Sequence, residues 1–216
     1  MSEKIKQWSY SRLATYLQCP FKASLKYILK LSDIPSPAAA RGTALHLQIE
    51  QYLKGLEPLP EDLKDWEEPL QTLKNENPFV EAEWGYSKNW LPRKWTAKTS
   101  WVRVKPDAVS FTGVAARVVD FKTGKQYPDH STQTKLYVTA VFSKFPEVQE
   151  VRAELWYLDQ NKIVAENFRR EELSELKTLW KEKTKDMLSD TVYTPNPGFY
   201  CKWCPFRIEL GGPCQM

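Results

Sequence analysis

The chain has 216 residues, of which 42% are hydrophobic and 27% charged, and its formal net charge is +4. This composition is typical of one globular domain with a single core, and the weak positive charge permits a polyanionic partner without requiring one. The sequence excludes a membrane span, which needs roughly 18 consecutive apolar residues, and it begins without the apolar stretch of a signal peptide.

Helices are expected in the first third of the chain. The segment Ser9–Leu31 has helical apolar spacing with a serine at a plausible N-cap, and Pro20 divides it into two short helices. A third helix is predicted from Ala38 to Lys54, where Gly55 and the following prolines stop it. A further amphipathic helix is predicted from Glu61 to Lys74.

Strand-like runs begin at Pro78. They are PFVEAEWGY, SWVRVKPDAVSF, GVAARVVDFKT, VQEVRAELWYLD and KIVAENFRR. A helix from Ser131 to Phe142 separates the third run from the fourth, and another is expected from Glu171 to Leu188. The sequence therefore predicts an α/β or α+β domain with a mixed central sheet flanked by helices.

The second and third runs form a predicted hairpin that carries two aspartates and a lysine. If Thr112–Gly113 is a two-residue turn, Asp107 lies opposite Val118. Asp107, Asp120 and Lys122 then share one face, with the aspartates as diagonal neighbours roughly 7 to 8 Å apart. Two adjacent buried carboxylates need a positive charge, which Lys122 and a divalent metal would both supply. The alternative is a surface Asp–Lys pair at a strand end.

Two predicted helices carry further polar residues. His46 and Glu50 share a helix face one turn after Gly42, which allows another backbone or a ligand to approach closely. A histidine with two aspartates suits Mn²⁺ or Mg²⁺, although a histidine that is simply satisfied on a helix is the alternative. Gln133 and Tyr137 share a face of the helix after the third strand, close to where a phosphate chain would pass.

The cysteines lie near the two ends of the chain, at Cys19, Cys201, Cys204 and Cys214. We expect a cytoplasmic protein, and structural disulfides are rare in the cytoplasm. The C-x-x-C spacing lets adjacent thiolates bind one metal or cluster. A site shared by both ends would close a loop of roughly 180 residues and remove roughly 4 to 5 kcal/mol of chain entropy from the unfolded state. From spacing alone, a zinc site, a cluster and unligated thiols all stay open.

Together these motifs resemble the RecB-like branch of the PD-(D/E)XK nuclease superfamily. The segments RGTALHLQIE, VKPDAVSF, VVDFKTGK and QTKLY match its G-x-x-x-H helix, Pro-Asp step, D-x-K strand and Q-x-x-x-Y helix, in the same order. The chain has Asp-x-Lys in place of Glu-x-Lys, a variation that this branch commonly shows. The flanks YLQCPFKASLKY and YCKWCPF with GGPC resemble those of the CRISPR adaptation nuclease and AddB-type nucleases, although the last cysteine spacing is longer than usual.

The resemblance implies a restriction-endonuclease-like core whose N- and C-terminal segments are joined at a [4Fe-4S] cluster. The cluster ligands would be Cys19, Cys201, Cys204 and Cys214. The single nuclease domain 1–216 would comprise N-terminal helices with the first cysteine (1–37), the nuclease core (38–170) and a C-terminal helix with the cluster-binding tail (171–216).

The resemblance also implies a catalytic site. His46, Asp107, Asp120 and the main-chain carbonyl of Phe121 would bind Mn²⁺ or Mg²⁺. Lys122 would position and polarise the attacking water. Gln133 and Tyr137 would hold the substrate backbone or brace the lysine, and Glu50 would support the ligands or bind a second metal.

The expected activity is that of a Mn/Mg-dependent DNA exonuclease acting on single-stranded DNA or DNA ends. Its role would lie in repair, recombination or viral DNA processing, in the host cytoplasm if the protein is virus-encoded. Arg12, Lys22 and Lys26 would line a channel for DNA. The alternatives are a CRISPR-type adaptation nuclease that trims DNA within an integrase complex, and a non-cleaving DNA-binding adaptor of the same fold. A protein partner and a homo-oligomer both stay open.

Overall fold

The computed structural model describes residues 3–33, 36–127 and 129–215. The chain forms two compact units, one made of residues 1–36 and 180–216 and the other of residues 37–179. The first unit thus combines both terminal segments of the chain. The boundaries between the two units lie at 36/37 and 179/180. The boundaries predicted from the sequence lie at 37/38 and 170/171. The single domain over 1–216 stays a prediction.

The helices follow the order expected from the sequence. They are α1 (Tyr10–Gln18), α2 (Pro20–Tyr27), α3 (Pro37–Leu53), α4 (Glu67–Asn75), α5 (Asp129–Lys144) and α6 (Leu173–Ser189). Short 3₁₀ turns occur at Glu61–Trp66, Leu158–Gln160, Arg170–Glu172, Phe199–Trp203 and Ile208–Leu210. None of the helices in the described ranges is both long and apolar enough to cross a membrane.

The strands form two sheets within the described part of residues 37–179. They are β1 (Phe79–Val80), β2 (Trp84–Tyr86), β3 (Pro92–Arg93), β4 (Val102–Val104), β5 (Ala108–Thr112), β6 (Ala115–Lys122), β7 (Glu150–Tyr157) and β8 (Lys162–Arg169). The larger sheet has the order β1-β5-β6-β7-β8, and the smaller one has the order β3-β2-β4. Among the strands named here for the described residues, only β6 and β7 pair in parallel, and α5 provides the crossover that parallel neighbours require. The predicted α/β fold with a mixed sheet flanked by helices is confirmed.

The register of the β5–β6 hairpin differs from the predicted one. Thr112 pairs with Ala115, so the turn is Gly113–Val114 rather than Thr112–Gly113. Gly113 has a φ of +58°, which the first position of such a turn requires and which glycine adopts without strain. Because Ala108 pairs with Val119, Asp107 precedes the ladder opposite Asp120 and not opposite Val118. The prediction was wrong by two residues, a shift that leaves every side chain on its predicted face.

The alternation of β6 separates an apolar face from a polar one. Val119 and Phe121 are buried in a cluster with residues of α3, α4 and β7, including a stacked pair of Trp66 and Trp156 whose ring centroids lie 5.3 Å apart. Asp120 projects to the opposite face, towards α5. The hydrophobic core on one side therefore fixes the position of the acidic group on the other.

The unit of residues 1–36 and 180–216 is built around two capped helices. Ser9 caps α1 by accepting a hydrogen bond from the Arg12 amide, as the sequence predicts. Cys19 separates α1 from α2 and accepts a hydrogen bond from the Lys22 amide at its sulfur. Within this unit, the buried ring of Trp8 packs against Trp180 at a centroid distance of 5.7 Å.

Candidate active site

Asp107 connects the larger sheet to α3. Its Oδ2 accepts a hydrogen bond from the Phe121 amide at 2.7 Å and lies 3.5 Å from His46 Nδ1. The His46 ring also meets the Phe121 ring edge-on, at a centroid distance of 6.1 Å. Burial opposes protonation of His46, but the hydrogen bond and charge of Asp107 outweigh it, so the pKa of the imidazole is raised. The structure thus brings together two predicted ligands that are far apart in the sequence.

Glu81 joins this pair, although the sequence pattern did not indicate it. Each of the three residues His46, Glu81 and Asp107 offers one ligand atom, and these three atoms lie within 4.8 Å of one another. Glu81 follows β1 with a φ of +53°, its amide donates to the Asp107 carbonyl at 2.9 Å, and Lys105 Nζ lies 2.7 Å from its carboxylate. The bend turns the Glu81 carboxylate into the site. The one sequence signal for this role is that Glu81 is acidic and lies where a strand-like run is interrupted.

Asp120 is the most deeply buried acid of the site, with 1% of its surface exposed. Burial, assisted by the charge of Asp107, raises its pKa to about 6 despite the opposing charge of Lys122. Lys122 Nζ lies 2.6 Å from Asp120 Oδ2, and this ion pair opposes the rise in the pKa of the carboxyl group. The ammonium of Lys122 therefore offsets part of the cost of burying the Asp120 carboxylate.

A chain of hydrogen bonds links Lys122 back to Asp120 through α5. Lys122 Nζ donates to Gln133 Oε1 at 2.8 Å, and Gln133 Nε2 donates to the Tyr137 hydroxyl. The Tyr137 hydroxyl in turn donates to Asp120 Oδ1 at 3.2 Å. Burial, followed by the charges of Asp120 and Asp107, raises the pKa of Tyr137 well above its usual range, so this hydroxyl keeps its proton. The helix thereby fixes the direction of both charged side chains.

The donor set suits a hard divalent cation. One imidazole and two carboxylates, from His46, Glu81 and Asp107, offer ligand atoms within 4.8 Å of one another. Asp120 lies close enough to this group for the charges of Asp107 and His46 to act on its carboxyl group. A cation would offset the burial and the repulsion from Asp107 that raise the pKa of Asp120. The residues therefore fit Mn²⁺ or Mg²⁺.

Two other predicted ligands have different surroundings. The Glu50 carboxylate of α3 forms an ion pair at 2.5 Å with Nζ of Lys54, the residue that follows the helix. The Phe121 amide is bound to Asp107, which fixes the backbone at this point. A ligand role for Glu50 and for the Phe121 carbonyl stays a prediction.

The basic residues predicted to line a DNA channel each have a partner within their own unit. Arg12 donates to the Gln7 carbonyl at 2.7 Å, and Lys22 Nζ donates to Gln18 at 2.8 Å. Lys26 Nζ lies 2.6 Å from Asp33 and lowers the pKa of that carboxyl group. Their contact with DNA stays a prediction.

The four cysteines line one cavity in the unit of the terminal segments. All four are free thiols and half-buried. Two sulfurs accept backbone hydrogen bonds: Cys19 from the Asn196 amide at 3.4 Å, and Cys201 from the Gly198 amide at 3.3 Å. Such N–H donors stabilise negative charge on sulfur, as a thiolate ligand requires.

The fold and the acidic site define a restriction-endonuclease-like α/β protein, and comparison with known proteins identifies its family. A family model of the PD-(D/E)XK nuclease superfamily matches residues 7–208, so the chain belongs to this superfamily. The crystal structure of SSO0001 matches with a TM-score of 0.52 and 17% identity, covering 100% of this chain and 89% of that one. A Eubacterium rectale protein named "Putative exonuclease" matches with a TM-score of 0.54 and 14% identity, covering 92% and 87%. These likenesses concern the fold, and no curated protein matches the chain.

Proposed function

We propose that this member of the superfamily is a divalent-metal-dependent deoxyribonuclease of the RecB-like branch. It would act as an exonuclease on single-stranded DNA or DNA ends, in repair, recombination or viral DNA processing. The observation that carries the proposal is the convergence of two opposed aspartates, Asp107 and Asp120, with Lys122 and His46 at one end of the sheet. A structural ion pair would not need a second buried carboxylate at this position.

The metal ligands proposed are His46, Glu81, Asp107 and Asp120, with Glu50 and the Phe121 carbonyl as further candidates. A bound Mn²⁺ or Mg²⁺ would act as a Lewis acid on the scissile phosphate and lower the pKa of water in the site. The hydrogen bond from the Phe121 amide holds Asp107, and the hydrogen bond from Tyr137 holds Asp120, so both carboxylates are oriented before substrate arrives.

Lys122 is proposed to position the attacking water. Its ammonium group has three N–H donors, and in the described residues it contacts Asp120 Oδ2 and Gln133 Oε1. The remaining N–H of an ammonium fixed in this way can donate to a water molecule or to a phosphate oxygen on which charge develops. Attack by the water forms a new O–P bond opposite the 3′ oxygen, and the water loses a proton to solvent. The P–O3′ bond breaks, and the leaving 3′ oxygen takes up a proton from solvent.

A [4Fe-4S] cluster is proposed for the cavity lined by Cys19, Cys201, Cys204 and Cys214. Four thiolates around one zinc ion lie roughly 3.8 Å apart, because tetrahedral Zn–S bonds are about 2.3 Å long. The larger [4Fe-4S] cluster would also be held by four thiolates. The observations that support a shared site are the four thiols that line one cavity and the N–H donors that reach two of the sulfurs. The cluster would hold the terminal segments together.

The proposed activity is tested on end-labelled single-stranded DNA in linear and circular form. Anaerobically purified protein is incubated with Mn²⁺, with Mg²⁺ or with chelator, and Asp120→Ala serves as the inactive control. We expect metal-dependent degradation of the linear form, an intact circle and no degradation by Asp120→Ala. Binding of DNA without degradation in either metal would overturn the proposal in favour of a non-cleaving adaptor.

A further inference from the structure

Three aromatic rings form a group beside Lys122 that the proposed chemistry does not use. Tyr157 pairs in register with Lys122 on the parallel strands β7 and β6, so both side chains lie on the face that carries Asp120. The His130 ring stacks on Tyr157 at a centroid distance of 5.7 Å and an interplanar angle of 27°, and its Nδ1 lies 3.1 Å from the Tyr157 hydroxyl. Tyr127 meets His130 edge-on at 5.4 Å.

These rings run from the protein interior to its surface. Tyr157 is 3% exposed and His130 is half-buried, whereas Tyr127 is 56% exposed. Burial and the neighbouring ammonium of Lys122 lower the pKa of His130, which favours the uncharged ring. Because His130 is stacked on the buried Tyr157, it holds its position against Tyr127.

The loop that carries Tyr127 is fixed by hydrogen bonds to the turn after β7. The Gly124 amide donates to Asp159 Oδ2 at 2.7 Å, and the Gln160 side chain donates to the Gly124 carbonyl at 2.6 Å. Arg41 of α3 forms two further hydrogen bonds with the same aspartate, at 2.9 and 2.7 Å. The exposed ring is therefore presented by an ordered loop, which lowers the entropy cost of binding a ligand there.

We propose that Tyr127, supported by His130 and Tyr157, is a stacking platform for one unpaired nucleobase next to the scissile phosphate. This inference rests on the proposed nuclease function and names its substrate class. Each base has a π-face, so an exposed aromatic ring holds a single strand without reading its sequence. A base can reach Tyr127 only when it has left a duplex stack, so the site selects single strands and frayed ends. Lys125 is exposed on the same loop, and the proposal assigns to it a contact with the phosphates of the bound strand.

The test combines a protein change with a matched change in the DNA. Tyr127→Ala, Tyr127→Phe and wild type are compared on single-stranded oligonucleotides in which one abasic nucleotide occupies successive positions from the labelled end. For wild type we expect one position at which the abasic nucleotide slows single-turnover cleavage by about 5- to 100-fold. Tyr127→Ala should cleave intact DNA more slowly than wild type does, by a similar factor. On that abasic substrate its rate should fall little further. Tyr127→Phe should behave as wild type.

Two further measurements separate the possible failures. Affinity for the same oligonucleotides is measured by fluorescence anisotropy with Asp120→Ala and Asp120→Ala/Tyr127→Ala, which does not require cleavage. If wild type cuts no DNA but the platform variant loses base-dependent affinity, the nuclease proposal fails and the platform stands. If the losses from Tyr127→Ala and from the abasic nucleotide simply multiply at every position, or if Tyr127→Ala cuts and binds as wild type, the platform is overturned. His130→Phe keeps a stacked ring and should retain the base dependence.

Discussion

Lys122 Nζ and Asp120 Oδ2 lie 2.6 Å apart and form an ion pair on β6. The same ammonium donates to Gln133, and the other Asp120 oxygen accepts from Tyr137. The ion pair and these two hydrogen bonds fix both side chains. One strand therefore presents a proposed metal ligand and, two residues later, a cationic donor.

The first prediction concerns the stability of the metal-free protein. The folded pKa of Asp120 is about 6, above the unfolded value of about 3.9, so the folded state binds its proton more tightly. Stability from this group is fully present below pH 4 and is lost as the pH rises through 6. Asp120→Asn cannot ionise and should therefore raise the free energy of unfolding at pH 8 by about 1 to 3 kcal/mol.

Urea unfolding in chelator, from pH 4.5 to pH 8, measures this difference. The advantage of Asp120→Asn should shrink towards the acid end. Saturating Mn²⁺ should reverse the order, because the wild type then gains binding energy that the variant lacks. A variant that is less stable than wild type at pH 8 in chelator would contradict the burial argument.

The second prediction separates metal binding from catalysis. Lys122→Met removes the ammonium but keeps the four proposed ligands, so Mn²⁺ affinity measured by calorimetry should be retained. Single-turnover cleavage should fall by about 10²- to 10⁴-fold, because no donor remains to position the water. Lys88→Met, at an exposed position in the loop after β2, is the matched control and should cleave normally. Equal loss of metal affinity and activity in Lys122→Met would mean that the lysine only supports Asp120.

The third prediction tests the ligand that the sequence did not indicate. Glu81→Gln should weaken Mn²⁺ binding by about tenfold or more, because one charged donor of the site is lost. Glu83, two residues later and exposed, provides the control: Glu83→Gln should bind Mn²⁺ as wild type does. Calorimetric titration of both variants gives the answer without a cleavage assay. Unchanged Mn²⁺ affinity in Glu81→Gln would mean that Glu81 forms an ion pair with Lys105 and does not bind the metal.

Local sequence pattern was sufficient for the parts of the site that lie on regular elements. The period of two on β6 correctly gave Asp120 and Lys122 a common face, and the helix period gave Gln133 and Tyr137 a common face. The β5–β6 register was missed because the sequence allows the two-residue turn at either Thr112–Gly113 or Gly113–Val114. Only the pairing of the two strands in the folded protein decides between these turns.

Glu81 and the cysteine cavity depend on contacts between distant segments. Glu81 reaches the site because the chain bends after a strand of only two residues, and no periodicity describes such a bend. The cavity brings Cys19 beside Cys201 from opposite ends of the chain. Spacing could indicate the C-x-x-C pair, but not where the first cysteine would lie.

The fourth prediction concerns the cysteine cavity. Anaerobically purified wild type should contain about four iron atoms per chain and absorb near roughly 400 nm. Cys201→Ser should lose most of the iron and absorbance and should unfold at a lower temperature, because the link between the terminal segments is lost. Metal analysis that finds one zinc and no iron would replace the cluster with a zinc site.

The most direct test of the metal-dependent nuclease is the single-turnover cleavage rate of Asp107→Asn with Mn²⁺. Asp107 contacts both His46 and the Phe121 amide, so its charge is central to the site. Asp65→Asn is the matched control, because Asp65 is exposed in the 3₁₀ turn Glu61–Trp66. We predict that Asp65→Asn cleaves end-labelled single-stranded DNA as wild type does and that Asp107→Asn is slower by about 10³-fold. Equal rates for Asp107→Asn and wild type would show that the cleavage arises elsewhere and would contradict the assignment of this site.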